Sequence, residues 1–265
     1  MKLINYHIHT PLCGHASGEI EDYVRSAISS DLKEIGFSDH APIPLPYREG
    51  ITMHPNEVEF YINEVLNLKE KYKSKIQIKL GFEVDFPLFD TFEKKYFNDS
   101  RIDYLIGSCH FLNDWAFDHP DFIDEYEKND IDKIYENYYR EIYQLVKTGL
   151  FNIIGHFDLI KKFGHRANQN FHDIIEKICS SVTANKNMAI EINTSGLLKP
   201  VKEIYPAEDI IKIFYDMNVP VTLGADVHSP ELISYELKNI IDLLKKIGYK
   251  KISGFSKRKR YDINL

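Results

Sequence analysis

Short runs rich in β-branched residues alternate with amphipathic stretches of helical length from one end of this chain to the other. That alternation restricts it to an α/β fold with parallel strands joined by helices. The unit repeats about seven times. Strands are predicted over 3–9, 34–39, 76–84, 104–109, 151–155, 189–193 and 221–225, and helices over 19–30, 55–72, 131–148, 170–185, 206–217 and 230–247. Several of the helices open at a proline, which suits the first turn. A last run, 251–255, has the character of a short eighth strand. The terminal KRKRYDINL is a basic run expected to form a solvated tail or the face of a final helix. No Pro/Gly/Ser-rich linker divides the chain, so residues 1–265 are read as one domain. Two long loops, 38–55 and 111–130, are placed to cover a site.

Composition narrows the function. With 265 residues, 43% apolar and 28% charged, the chain is of ordinary globular type, and its net charge of −7 argues against a surface that neutralises nucleic acid. The first ten residues lack the apolar core of a secretory signal, and no segment reaches the ~20 apolar residues of a membrane helix. A cytoplasmic protein with no membrane and no nucleic-acid partner is expected. Cys13, Cys109 and Cys179 are too scattered for a disulfide framework or a zinc knuckle. Cys13 lies between His9 and His15 and within reach of a metal there, although the histidines already fill that role.

Most of the 11 histidines fall where strands end and loops begin, the catalytic end of a parallel barrel. His7 and His9 end the first predicted strand, His40 follows the second, Glu83 closes the third, and His110 and His156 follow the fourth and fifth. Asp226 and His228 follow the seventh, and His15 lies in the first loop. Residues two apart on a strand share a side, so HIH and DVH each aim two ligands at one point. Imidazole and carboxylate together suit zinc, iron and manganese, and without paired thiolates the site keeps open positions. A carboxylate such as Glu83 can bridge two ions, which then clamp the oxygens of a displacement at phosphorus. A lone histidine is more often structural than ligating. Gathering this many ionisable groups without cations, however, would cost several kcal/mol. His54, His119, His165 and His172 stand outside the pattern and are assigned to surface or core.

HIHTPLCGHASG, FSDHAPIP, GFEVDF, GSCHF with the WAFDHP that follows, IIGHFDLIKKFG, EINTSG and TLGADVHSP occur in that order over nearly the whole chain. In this order and spacing the chain resembles the polymerase and histidinol phosphatase (PHP) family, specifically its stand-alone histidinol-phosphatases. The resemblance implies a distorted, TIM-like (β/α)7 barrel with three divalent ions at the C-terminal ends of its strands. It assigns His7, His9, Glu83 and Asp226 to the first ion, Glu83, His110 and His156 to the second, and His15, His40 and His228 to the third. The ions of the family are zinc, iron or manganese. His7, His9, Glu83 and Asp226 are accordingly the expected catalytic residues.

The resemblance also implies a small-molecule phosphate monoester, L-histidinol phosphate, as substrate, attacked in line by water activated at the first two ions. APIPLP, FLNDWAFDHP and EINTSGLLKP favour this branch over nucleotide-cleaving relatives. Similar enzymes often carry a basic residue after the Asn-Thr-Ser-Gly turn, where Leu198 and Lys199 stand here. Lys199 or Arg166 is the expected phosphate contact. Asp118, Asp114 or Glu19 is expected at the cationic end, and Trp115, Phe111 or Phe117 beside the imidazole ring. A phosphoesterase acting on nucleotides, an inactive metal module and an amidohydrolase-type barrel are the alternatives. The last of these usually wants a bridging lysine where Glu83 stands.

Overall fold

The computed structural model describes residues 2–265 apart from 45, 46, 48 and 49, so part of the loop 38–55 and of its APIPLP motif lies outside the described residues. Seven parallel strands form the barrel: β1 (Ile4–Asn5), β2 (Glu34–Phe37), β3 (Gln77–Asp85), β4 (Tyr104–Ser108), β7 (Ile153–Ile154), β8 (Ala189–Asn193) and β9 (Val221–Gly224), in that spatial order. β1 is shorter than predicted because the chain changes neighbours there. Its first residues pair with β2, and then Tyr6 donates to the Leu223 carbonyl at 2.9 Å and His9 to that of Val227 at 3.0 Å. Those bonds bring the last strand against the first and nearly close the barrel.

Helices α1 (Ile20–Ser29), α2 (Val58–Lys71), α5 (Ile131–Thr148), α6 (His172–Ala184), α7 (Glu208–Asp216) and α8 (Leu237–Ile247) lie between barrel strands or follow the last. α3 (Lys94–Phe97) and α4 (Glu125–Lys128) are single turns. The amphipathic stretches become these helices because each turns one apolar stripe inward, as α5 does with Ile134, Tyr135, Tyr138, Tyr139, Ile142 and Leu145. α5 also starts where its sequence says it should, with Asp130 accepting from the N–H groups of Asp132 and Lys133, and ends at Gly149 with φ 65°.

Along β3, Ile78, Leu80, Phe82 and Val84 join the apolar core, while Gly81, Glu83 and Asp85 face the barrel axis. Tyr104 fills the middle of the barrel. Its ring lies where a Cβ on Gly81 would be, 2.6 Å away, and its hydroxyl donates to the carbonyls of Tyr6 at 2.8 Å and Phe37 at 3.1 Å. The barrel is therefore closed below and open above, at the C-terminal ends of its strands.

Residues 251–255 are not an eighth barrel strand. β10 (Lys251–Ser256) pairs antiparallel with β11 (Lys259–Asn264), so the basic terminus is a strand and neither a tail nor a helix. Lys257 and Arg258 form the two-residue turn with φ 48° and 64°, the left-handed pair a tight hairpin requires. Neither is a usual turn residue. Asp103 holds them, accepting from Lys257 N–H through Oδ1 at 3.2 Å and from Arg258 N–H through its carbonyl at 2.8 Å. The hairpin covers the N-terminal end of the barrel, where Phe255 N–H donates to Tyr6 Oη at 2.8 Å. The loop after β4 begins with a second small hairpin, β5 (Phe111–Leu112) and β6 (Trp115–Ala116).

Candidate metal centre

Each barrel strand delivers its polar groups to the open end. His7 and His9 follow β1 on the segment that joins β9, and His40, after β2, sits opposite Glu83 of β3 in a parallel bridge. His110 and His156 come just after β4 and β7, and Asp226 and His228 just after β9. Asp226 has φ 49°, a left-handed turn that aspartate tolerates better than most residues. His15 reaches in from the first loop, its Nδ1–H directed to the Cys13 carbonyl at 3.0 Å, which leaves Nε2 free.

These nine side chains converge. Glu83 Oε2 lies 3.2 Å from His7 Nε2, 3.4 Å from His9 Nε2 and 3.1 Å from His40 Nδ1. Its other oxygen, Oε1, lies 3.0 Å from His156 Nε2 and 3.7 Å from His110 Nε2, and accepts from Ser108 Oγ at 2.5 Å. Asp226 Oδ1 is 3.2 Å from His9 Nε2 and 3.7 Å from His7 Nε2. Three ligand-sized groups lie within 4.8 Å internally: His7, His9 and Asp226; Glu83, His110 and His156; and His15, His40 and His228. His9 and His40 also fall within that distance of Glu83, and Cys13 falls within it of His9 and His228.

The donor set fits divalent ions. His7 Nε2, both nitrogens of His9, His40 Nδ1 and His228 Nε2 are buried and make no hydrogen bond, a heavy cost unless a cation takes up those lone pairs. Protonation tells the same story. Burial opposes the charged form of His7, His9 and His110, yet carboxylates outweigh it. Glu191, Glu83 and Asp226 hold His7 well above its ordinary range, Asp226 and Asp39 lift His9 to about 9, and Asp85 lifts His110 to about 10. His228 is pushed down to about 2 by burial and by His9, and burial takes His40 well below its usual value. Glu83 and Asp226 stay ionised against burial because the imidazoles face them. Metal binding at such imidazoles would compete with protons.

Behind the ligands stand carboxylates that the sequence reading did not assign. Glu191 Oε1 is 2.7 Å from His7 Nδ1, Asp85 Oδ1 is 2.6 Å from His110 Nδ1, and Asp39 Oδ1 is 3.5 Å from His9 Nδ1. Such partners fix which imidazole nitrogen is free for a metal. Their signal was present as lone acids in strand sequence, Glu191 in EIN and Asp85 in GFEVDF, and as Asp39 directly before His40, but nothing near them in sequence names the histidine each one backs.

Above the cluster opens a cavity of about 490 Å³ whose wall includes Asp118, Lys162, Lys199, Phe111 and Tyr205. Asp118 and Lys199 thus stand where a substrate contact was expected. Asp118 is engaged by Lys162, which donates to its Oδ2 at 3.0 Å and its carbonyl at 2.7 Å. Lys162 was not singled out in the sequence. Arg166 and Trp115 do not line the cavity. The Arg166 guanidinium donates to Glu203 Oε1 at 2.5 Å, and Trp115 donates to the Phe122 carbonyl at 3.2 Å and packs on Tyr126. Phe117 is fully buried against Tyr138, Asp114 accepts from Tyr47, and Glu19 caps α1. Of the four unassigned histidines, His54 and His119 cap short 3-10 turns, and His119 also borders the cavity. His165 stacks on Tyr126, and His172 opens α6.

Comparisons with known proteins give the family and the fold. Residues 5–195 match the family model described as the PHP domain. A probable histidinol-phosphatase of Deinococcus radiodurans is 34% identical over 93% of this chain and 94% of its own length. The histidinol-phosphatase of Bacillus subtilis is 27% identical over 89% of this chain and 97% of its own. A crystal structure of histidinol phosphate phosphatase from Lactococcus lactis, complexed with zinc, L-histidinol and phosphate, superposes with a TM-score of 0.83 over 98% of this chain and 99% of that one, at 23% identity. At that identity the likeness speaks for the fold, a distorted TIM-like barrel of seven strands.

Proposed function

The chain belongs to the PHP domain family, among its histidinol-phosphatases, and from that premise we propose that it hydrolyses L-histidinol phosphate to L-histidinol and inorganic phosphate at a centre of three divalent ions. It is a phosphoric monoester hydrolase. The observation that carries the reading is Glu83, one buried carboxylate with Oε2 turned to His7, His9 and His40 and Oε1 turned to His110 and His156, at the floor of an open cavity.

His7, His9, Glu83 and Asp226 would hold the first ion, Glu83, His110 and His156 the second, and His15, His40 and His228 the third. Zinc is the ion the relative's crystal structure contains, and iron and manganese suit the same ligands. Such ions, when bound, supply an activated water nucleophile and neutralise phosphoryl oxygens. The chain's own residues do the rest. Glu83 and Asp226, ionised, set the site's negative frame, while Ser108 and Ser195 hold their carboxylates by donating to Glu83 Oε1 and Asp226 Oδ2. Lys199, on the cavity wall, supplies positive charge for the phosphate dianion. Asp118, on the same wall and held by Lys162, offers negative charge to the cationic end of histidinol.

We read the chain as one cytoplasmic catalytic unit acting on small molecules. No helix among the described residues is long and apolar enough to cross a membrane. Phosphate release from L-histidinol phosphate, nucleoside monophosphates and an aryl phosphate, assayed side by side, tests the substrate. L-histidinol phosphate is expected to be preferred, and a strong preference for a nucleotide overturns the assignment.

A further inference from the structure

Glu191 sits in the middle of β8, 1% exposed, between Ile190 and Ile192 of the apolar core. Its two oxygens serve different parts of the centre. Oε1 lies 2.7 Å from His7 Nδ1, behind the ring whose Nε2 faces Glu83 and Asp226. Oε2 accepts from the backbone N–H of His156 at 2.8 Å and from the Asn193 side-chain amide at 2.9 Å. Asn193 Oδ1 accepts in turn from Ser195 N–H at 2.8 Å, and Ser195 Oγ donates to Asp226 Oδ2 at 3.1 Å. This chain of bonds ties His7 and Asp226 of the first ion set to His156 of the second. None of these bonds runs to His15, His40 or His228. The sheet leaves room for it, since Gly224 of β9 stands where any Cβ would fall 1.8 Å from Glu191 Oε1.

We propose that Glu191 is a positioning residue that couples the first and second ion sites, fixing the His7 ring and the backbone at His156 together so that the two sites fill as a pair. The proposal rests on the metal-centre reading above. Only a carboxylate accepts from all three donors. If a glutamine turned its NH2 to His7, the amide would donate to Nδ1 and the imidazole proton would move to Nε2, the position that faces the ion. If it turned its oxygen to His7, the NH2 would meet the N–H of His156 and the amide of Asn193.

Glu191→Gln preserves size and burial, so it isolates this effect. Metal-free wild type and variant are titrated with zinc against a chelating dye, and thermal denaturation of both metal-free proteins checks the fold. Wild type is expected to take up three ions. The variant is expected to keep wild-type affinity for one and to bind the other two about 10- to 100-fold more weakly. Unchanged affinity at all sites, or an equal loss at all of them, overturns the coupling. Long-range proton–nitrogen spectra of the zinc-loaded wild type are a second measurement, which decides alone should the variant not fold. They are expected to show the His7 proton on Nδ1, and a proton on Nε2 overturns the proposal. Wild type that takes up no zinc at all overturns the metal centre itself, a separate failure.

Discussion

Glu83 is asked to face five imidazoles from a single carboxylate, and its removal should therefore reach further than that of any one histidine. Glu83→Ala is expected to lower turnover of L-histidinol phosphate by more than about 100-fold and to reduce bound metal together with it. Lys199→Ala, which removes a cavity-wall charge and no ligand, is expected to raise KM with a smaller loss of kcat; steady-state kinetics and elemental analysis of both variants check this. The nine candidate ligands were legible in the sequence because all but His15, in the first loop, stand where a predicted strand ends, and HIH and DVH each carry two of them. Glu191, Asp85 and Asp39 were not, because their task is defined only by which histidine lies behind them in space. The cavity wall was the least legible. Whether a loop cation faces the cavity, as Lys199 does, or is spent on a neighbour, as Arg166 is on Glu203 and Lys162 on Asp118, depends on loop paths that spacing does not encode.

The strand and helix alternation survives element by element, with α5 over the residues expected of it and β1 and β7 cut short. The terminal hairpin was missed because Lys257 and Arg258 give no turn signal and Asp103, far away in sequence, imposes the turn. Two elements carry predictions of their own. Gly81 of β3 makes room for Tyr104, so Gly81→Val forces the ring away and should destabilise the fold by roughly 1–3 kcal/mol or more, measured by denaturant unfolding. α1 and α2 are joined at Glu21, which accepts from Lys71 at 2.8 Å and from Tyr72 at 2.5 Å, while Arg25 of α1 donates to it at 2.9 Å. The Lys71 and Tyr72 bonds first, then Arg25, hold its pKa at about 2 against an ordinary 4.5. Because the folded value is the lower, the contribution is present above 4.5 and fades as pH falls through about 2. Glu21→Gln should lower Tm slightly at neutral pH, and its difference from wild type should shrink steadily below pH 4.5.

At the scale of the whole molecule, a barrel filled by Tyr104, covered below by the β10–β11 hairpin and open above leaves one end for chemistry, and the candidate ligands gather there. The fold holds buried imidazoles apart from hydrogen-bond partners, so ions that occupy them add stability by mass action as well as activity, and chelation should lower Tm. On the proposed function, this cluster splits a phosphoester only when it holds metal. Phosphate release from L-histidinol phosphate by the purified protein is to be followed before chelation, after it and after zinc is returned. Release should cease when the metal is stripped and recover when zinc is added back. Undiminished release from protein shown by elemental analysis to be metal-free would contradict it.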